Sequence, residues 1–174
     1  GQHAELLLFA HPQRAFTTSP HTLALPAPVV ALAAGAFTNP QHTDLAIAAG
    51  RELLLLRALD APLQRLYLHT TPTALAVGSF LSTGGYDLAI AGSDETLRLL
   101  DPRTGTQQVY AAPAAITALQ RVRLSGLPHD ELLLHTPKQV EVLLTNAAPP
   151  ALHATGMALP ASSPAWLALH LNHD

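Results

Sequence analysis

Asp44, Asp87 and Asp130 are spaced 43 residues apart, each late in a similar stretch of chain. Residues 31–48 read Ala-Leu-Ala-Ala-Gly-Ala-Phe-Thr-Asn-Pro-Gln-His-Thr-Asp-Leu-Ala-Ile-Ala. Residues 74–91 read Ala-Leu-Ala-Val-Gly-Ser-Phe-Leu-Ser-Thr-Gly-Gly-Tyr-Asp-Leu-Ala-Ile-Ala. A third copy is worn: Ala118 to Leu134 keeps the length, Asp130 and the apolar run Leu132-Leu133-Leu134. A period of about 40–50 residues is the signature of propeller blades. The chain is therefore a repeat scaffold before any function is considered.

Each copy runs through the same order of segments. An apolar strand leads to a Gly-X-Phe corner (Gly35 and Phe37, then Gly78 and Phe80), a polar turn, the Asp and a second apolar strand. A tighter turn, with Glu52 and Glu95 at matching places, feeds a third strand. There Leu54 and Leu56, Leu97 and Leu99, and Val140 and Val142 recur at the same spacing. Their alternation predicts one face inward and one outward. Asp101-Pro-Arg-Thr-Gly105 is a turn signal, with Pro setting φ and Gly supplying positive φ, so Leu99-Leu100 and Gln108-Val-Tyr110 form a hairpin that closes one blade. Gly84, Gly85 and Gly92 read as turn glycines. The fifteen prolines fall mostly between the apolar runs and helix signals are weak.

The fold expected is all-β, with four-stranded antiparallel blades that form an incomplete propeller ring. Repeats are placed near 29–73, 74–115 and 116–160, with the start of a further blade over 161–174, where Trp166 to Leu171 reads as a strand. An open propeller exposes unpaired strand edges. The polypeptide is therefore expected to continue past Asp174, and the 174 residues alone to be poorly soluble.

Charge and composition narrow the function. The formal charge is −3 and no basic stretch occurs, so direct nucleic-acid binding by this segment is not expected. Charged residues make up only 12% of the chain, which fits either a genome bias toward Ala, Leu and Pro or a surface covered by partners. Cysteine is absent, which excludes disulfides, thiolate zinc sites and Cys nucleophiles. The Leu53–Leu56 run is far short of the roughly 20 residues that span a bilayer, and no basic region precedes Leu6–Ala10, so neither a membrane span nor a signal peptide is expected.

Gly35 to Leu45 has the length of the calcium loop in FG-GAP repeats. The alternate positions that would need oxygen ligands hold Ala36, Thr38 and Pro40, and then Ser79, Leu81 and Thr83. Asp44, Asp87 and Asp130 are expected to cap turns by accepting backbone N–H bonds, not to bind calcium. The ten histidines show no HExxH or His/Cys pattern, and His170 and His173 near Asp174 stand outside any motif. No nucleophile elbow or phosphate-cradling loop occurs. Phe37 and Phe80 read as corner packing residues, and Tyr67, Tyr86 and Tyr110 are too scattered for a base-stacking platform. No catalytic, cofactor-binding or metal site is expected. The residues singled out are the repeat positions Gly35, Phe37, Asp44, Gly78, Phe80, Asp87 and Asp130.

The order of segments resembles a family of multi-propeller scaffolds. It comprises the large β-propeller subunit of the splicing factor 3b complex, the large subunit of the UV-damaged-DNA-binding protein and the largest subunit of the cleavage and polyadenylation specificity factor. Leu7-Leu-Phe9 with Gln13-Arg14-Ala15 looks like the splicing subunit's opening strand. Ala33-Ala-Gly-Ala-Phe-Thr38 looks like the family corner, and Arg51-Glu-Leu-Leu-Leu-Leu-Arg57 like its next strand. Thr83-Gly-Gly-Tyr-Asp-Leu-Ala-Ile-Ala-Gly-Ser-Asp94 is similar to its Gly-rich turn, apolar strand and Gly-Ser-Asp. Leu152-His-Ala-Thr-Gly156 and Pro164-Ala-Trp-Leu-Ala-Leu169 resemble a later His, Gly and strand sequence. The chain departs from the family in its Leu, Ala and His in place of Val, Ile and Lys, and in Asn172-His-Asp174 where an acidic stretch would follow.

The resemblance implies the first part of a first propeller, a nuclear location and a non-catalytic role in the U2 small nuclear ribonucleoprotein. The implied partners are the HEAT-repeat subunit and the small subunit of the splicing factor 3b complex, in support of branch-site recognition in pre-mRNA splicing. A sister scaffold in ubiquitin-ligase or 3′-end processing complexes is the first alternative. A secreted FG-GAP adhesion or ligand-binding propeller is the second.

Overall fold

The computed structural model describes residues 4–9, 17, 19–58, 61–81, 84–124, 126, 128–145 and 151–158. Gln13-Arg14-Ala15, Thr83, the Pro164–Leu171 segment, the further blade at 161–174, His170 and His173 lie outside them. The described chain is all-β. A two-stranded sheet of β1 (Ala4–Leu8) and β2 (His21–Leu25) comes first. Blade 1 is β3 (Val29–Gly35), β4 (Asp44–Ala49), β5 (Glu52–Leu56) and β6 (Gln64–Tyr67). Blade 2 is β7 (Pro72–Gly78), β8 (Asp87–Gly92), β9 (Thr96–Leu100) and β10 (Gln107–Ala111). Blade 3 is β11 (Ala118–Val122), β12 (Glu131–His135), β13 (Gln139–Leu144) and β14 (Ala151–Ala158). In each blade the strands lie side by side in chain order, all antiparallel.

The repeat extends to fine register. Gly35 pairs with Asp44 and Gly78 with Asp87, and both first strands slip register at the same place, after Val29 and after Pro72. Pro72 opens its strand, where a missing N–H costs the ladder least. The Asp101–Gly105 turn joins β9 to β10 with Leu100 opposite Gln107, and Gly105 has φ of 75°. Gly92 is the last residue of β8 and not a turn residue. A Cβ there would press on the Asp94 carboxylate and Thr70.

The blades stack face to face. Phe37, Ala46, Ala48, Leu53 and Leu55 of blade 1 close on Leu75, Leu88 and Ile90 of blade 2. The other face of blade 2 offers Phe80, Ala89, Leu97 and Leu99 to Leu132 and Leu134 of blade 3. This sandwiching overrides the expected inward/outward alternation in β5, whereas β9 keeps it, with Leu97 and Leu99 buried between less buried neighbours. Leu53, Leu54, Leu55 and Leu56 are all buried, because β1–β2 covers one face of β5 and blade 2 covers the other. A strand buried on both faces reads as a continuous apolar run.

Glu95 turns between β8 and β9 with φ of 58°, in the left-handed region where a Cβ crowds the backbone. Glu95→Gly is expected to stabilise the chain by about 0.5–1 kcal/mol. Denaturant unfolding of the two proteins checks it, and a loss of stability would contradict the turn assignment.

Candidate interaction surface at the blade corners

The Gly-X-Phe corners follow β3 and β7 and are held by the Asp that opens the next strand. Asp44 Oδ2 accepts from the Thr38 backbone N–H at 2.7 Å and from its hydroxyl at 2.8 Å. Asp87 Oδ2 accepts from the N–H groups of Phe80 at 3.0 Å and Leu81 at 2.7 Å. Gly35 and Gly78 are required by close approach. A Cβ on Gly35 would stand 2.5 Å from Val77 of the next blade, and one on Gly78 would meet the Phe80 ring and Arg121 of the next blade. Phe37 and Phe80 turn into the two inter-blade cores. The repeat positions thus share one corner and fasten each blade to its neighbour.

Asp130 extends this across blades. Its Oδ2 accepts the Ser79 N–H of blade 2 at 2.8 Å, while its own N–H donates to the Ser79 carbonyl at 2.9 Å. The worn third copy has Arg121 and Arg123 where earlier copies have Gly and Phe. Arg123 Nε donates to Asp130 Oδ1 at 2.7 Å, and Arg121 stands 4.0 Å from Oδ2 and over the Tyr86 ring. The Asp130 carboxylate holds the Arg123 guanidinium charged, with its pKa above the ordinary value. Glu131 takes over the next bond of the pattern, accepting the Leu124 N–H at 2.9 Å.

The Asp101 turn reaches the same region. Arg103 gives Asp101 its backbone N–H at 2.9 Å and its guanidinium at 3.0 and 3.1 Å, and that guanidinium packs against Gly85. Burial is the largest single influence on the Asp101 carboxyl and opposes its ionisation. The hydrogen bonds and charge of Arg103, with the Thr104 hydroxyl, together outweigh it and hold the pKa at about 2. A folded value below the ordinary 3.8 stabilises the fold at neutral pH by roughly 2 kcal/mol. That contribution is complete above pH 4 or so and is lost as pH falls toward 2. Asp101→Asn is expected to cost about 2 kcal/mol at pH 7 and to flatten this acid limb in urea titrations. His135 acts in the same direction: burial lowers its pKa, so its contribution is lost as pH drops below the ordinary 6.5.

Above the corners lies an open cleft of about 460 Å³, lined by Ala36, Pro40, Ser79, Gly84, Gly85, Tyr86, Arg123 and Pro128. It gathers loops from all three blades. Small residues (Ala36, Ser79, Gly84 and Gly85) line it together with proline, tyrosine and arginine side chains. The spacing of the repeats pointed to Asp44, Asp87 and Asp130; Arg103, Arg121, Arg123 and Tyr86 escaped it. The signal for the arginines was present, since they stand at the Gly and Phe positions of the copy that departs from the pattern.

No family model matches this chain, and no curated protein matches it. Solved structures do. The chain is similar to BBS1N in a crystal structure with ARL6DN soaked with lead, at 15% identity and a TM-score of 0.62, covering 89% of this chain and 48% of that one. A mercury-soaked crystal of the same complex matches at 16% identity and a TM-score of 0.63, covering 88% of this chain and 48% of that one. This chain spans about half the length of the structures it matches. At such identity the likeness speaks to architecture, and together with the stacked four-stranded sheets it makes the fold that of β-propeller blades.

Proposed function

We propose that this chain is a non-catalytic scaffold that holds protein partners on the corner face of its stacked blades. The observation that carries this reading is the use made of the corner carboxylates. Asp44, Asp87 and Asp130 are buried and bonded to corner N–H groups, so they brace loops and do not face a substrate. What faces solvent is the loop-lined cleft with Pro40, Tyr86, Arg123 and Pro128, residue types suited to protein recognition. Rigid blades that carry variable loops are a means of display. The similar structure, BBS1N, was crystallised in complex with ARL6DN, which supports a partner-holding role in general terms.

Within that class the finer reading is the splicing factor 3b propeller subunit. It is supported by the order and spacing of the Leu7–Phe9, Ala33–Thr38, Arg51–Arg57 and Thr83–Asp94 motifs. On this reading the protein is nuclear, and its partners are the HEAT-repeat and small subunits of that complex within the U2 particle. The test is purification of the native protein with identification of bound proteins and RNA. Recovery of a HEAT-repeat splicing subunit with U2 RNA is the expected result. A cullin or polyadenylation subunits would move the protein to a sister scaffold. Recovery alone, with bound calcium or turnover of a substrate, would overturn the scaffold reading.

A further inference from the structure

Between blades 2 and 3 lies an open cleft of about 450 Å³, walled by Ala111, Ala112 and Pro113 at the end of β10 and by Leu152 and Ala154 of β14. Gln139 and Glu141 of β13 line it too. Strand direction puts it at the end of the blades away from the corners. β10 ends and β13 begins at this cleft, whereas β7 ends and β8 begins at a corner.

Glu141 departs from the repeat. It stands opposite Leu134 in its blade, as Leu54 stands opposite Ile47 in blade 1 and Arg98 opposite Ile90 in blade 2. These three partners all pack toward the preceding sheet: Ile47 against β1–β2, Ile90 against blade 1 and Leu134 against blade 2. Leu54 fills its place as a buried apolar residue, and Arg98 has Asp94 of its own blade at 3.4 Å. Glu141 is only 3% exposed, yet among the described residues no Lys, Arg or His forms an ion pair with it. Its carboxylate is steadied from one side, where Gln139 Nε2 donates to Oε1 at 2.7 Å.

We infer that this cleft docks an extended segment of another protein, which inserts one Lys or Arg side chain between blades 2 and 3 to pair with Glu141. A buried carboxylate is normally paired, so a cation that reaches this one gains a partner already desolvated and positioned. The apolar walls select the form of that cation. The aliphatic stem of Lys or Arg can lie along Ala112, Pro113 and Leu152 while its charged head meets Glu141. Phosphate-bearing surfaces are repelled by the same carboxylate. A second copy of this chain has little to offer. Of its nine Lys and Arg residues, Arg65, Arg98, Arg103, Arg121 and Arg123 are already ion-paired.

Two synthetic heptapeptide libraries test the inference on the immobilised native polypeptide. Both carry random apolar and small residues around a fixed centre, which is Lys in one library and norleucine in the other. The Lys library should be retained at least tenfold better. Glu141→Gln keeps an acceptor for Gln139 but removes the charge, and should erase that preference while the melting temperature holds. Ala111→Trp fills the mouth of the cleft from an exposed position, and should lower retention of the Lys library at least tenfold, which keeps the test open if the first variant folds poorly. Equal retention of the two libraries would overturn the inference, as would a Lys preference that survives both substitutions. So would a dimer of the native polypeptide in sedimentation that Glu141→Gln dissolves, because the occupant would then be a second copy.

Discussion

Phe80→Ala is expected to lower stability by about 3–5 kcal/mol, the range for truncating a buried aromatic. Phe80 is 2% exposed and lies in the core that Ala89, Leu97 and Leu99 of blade 2 share with Leu132 and Leu134 of blade 3. The cavity would open between blades, where two rigid sheets cannot both close on it. Urea unfolding followed by circular dichroism measures the loss. Leu124→Ala is the control: Leu124 is 61% exposed, and its truncation should change stability by no more than about 0.5 kcal/mol. Similar effects from the two variants would mean that the blades do not share a core at this corner.

Asp130→Ala is expected to cost about 2–3 kcal/mol, by a different route. The carboxylate is buried and receives the Ser79 N–H across the blade junction and Arg123 Nε from its own blade. Its removal leaves the Ser79 backbone donor without its acceptor, which costs more than the bond contributed, while the largely exposed Arg123 guanidinium turns to water. The effect should be directional. Blade 3 loses the side-chain half of its tie to blade 2 and keeps the backbone bond from residue 130 to the Ser79 carbonyl, so amides of β11–β13 should exchange faster while those of β4 and β5 keep their protection. Among the described residues the corner carboxylate of blade 1 bonds Thr38 of its own blade alone, and Asp44→Ala should disturb that corner locally. Uniform loss of protection across all blades would contradict this division of labour.

The repeat made the blades legible before any coordinates. Residues at a fixed spacing share an environment in stacked units, so Gly35 and Gly78, Phe37 and Phe80, and Asp44 and Asp87 occupy matching places. The Asp101 turn was legible too, because its conformation is set by local chemistry. The burial of Leu53–Leu56 on both faces was not, since alternation within one strand says nothing of a second sheet stacked behind it. Nor was the cleft. Pro40, Tyr86, Arg123 and Pro128 are far apart in sequence, and only the stacking of three blades brings them to one rim. The fine family resemblance rests on motif order alone, and the solved neighbours carry it no further than the propeller architecture.

The most direct test of the scaffold account is hydroxyl-radical footprinting of the native protein, free and in its purified complex. A bound protein partner is expected to shield Pro40, Tyr86, Arg123 and Pro128 at the corner cleft. Tyr67 and Val109, exposed on the last strands of blades 1 and 2, should react equally in both states. Shielding confined to Tyr67 and Val109, with the cleft residues as reactive in the complex as in the free protein, would contradict it.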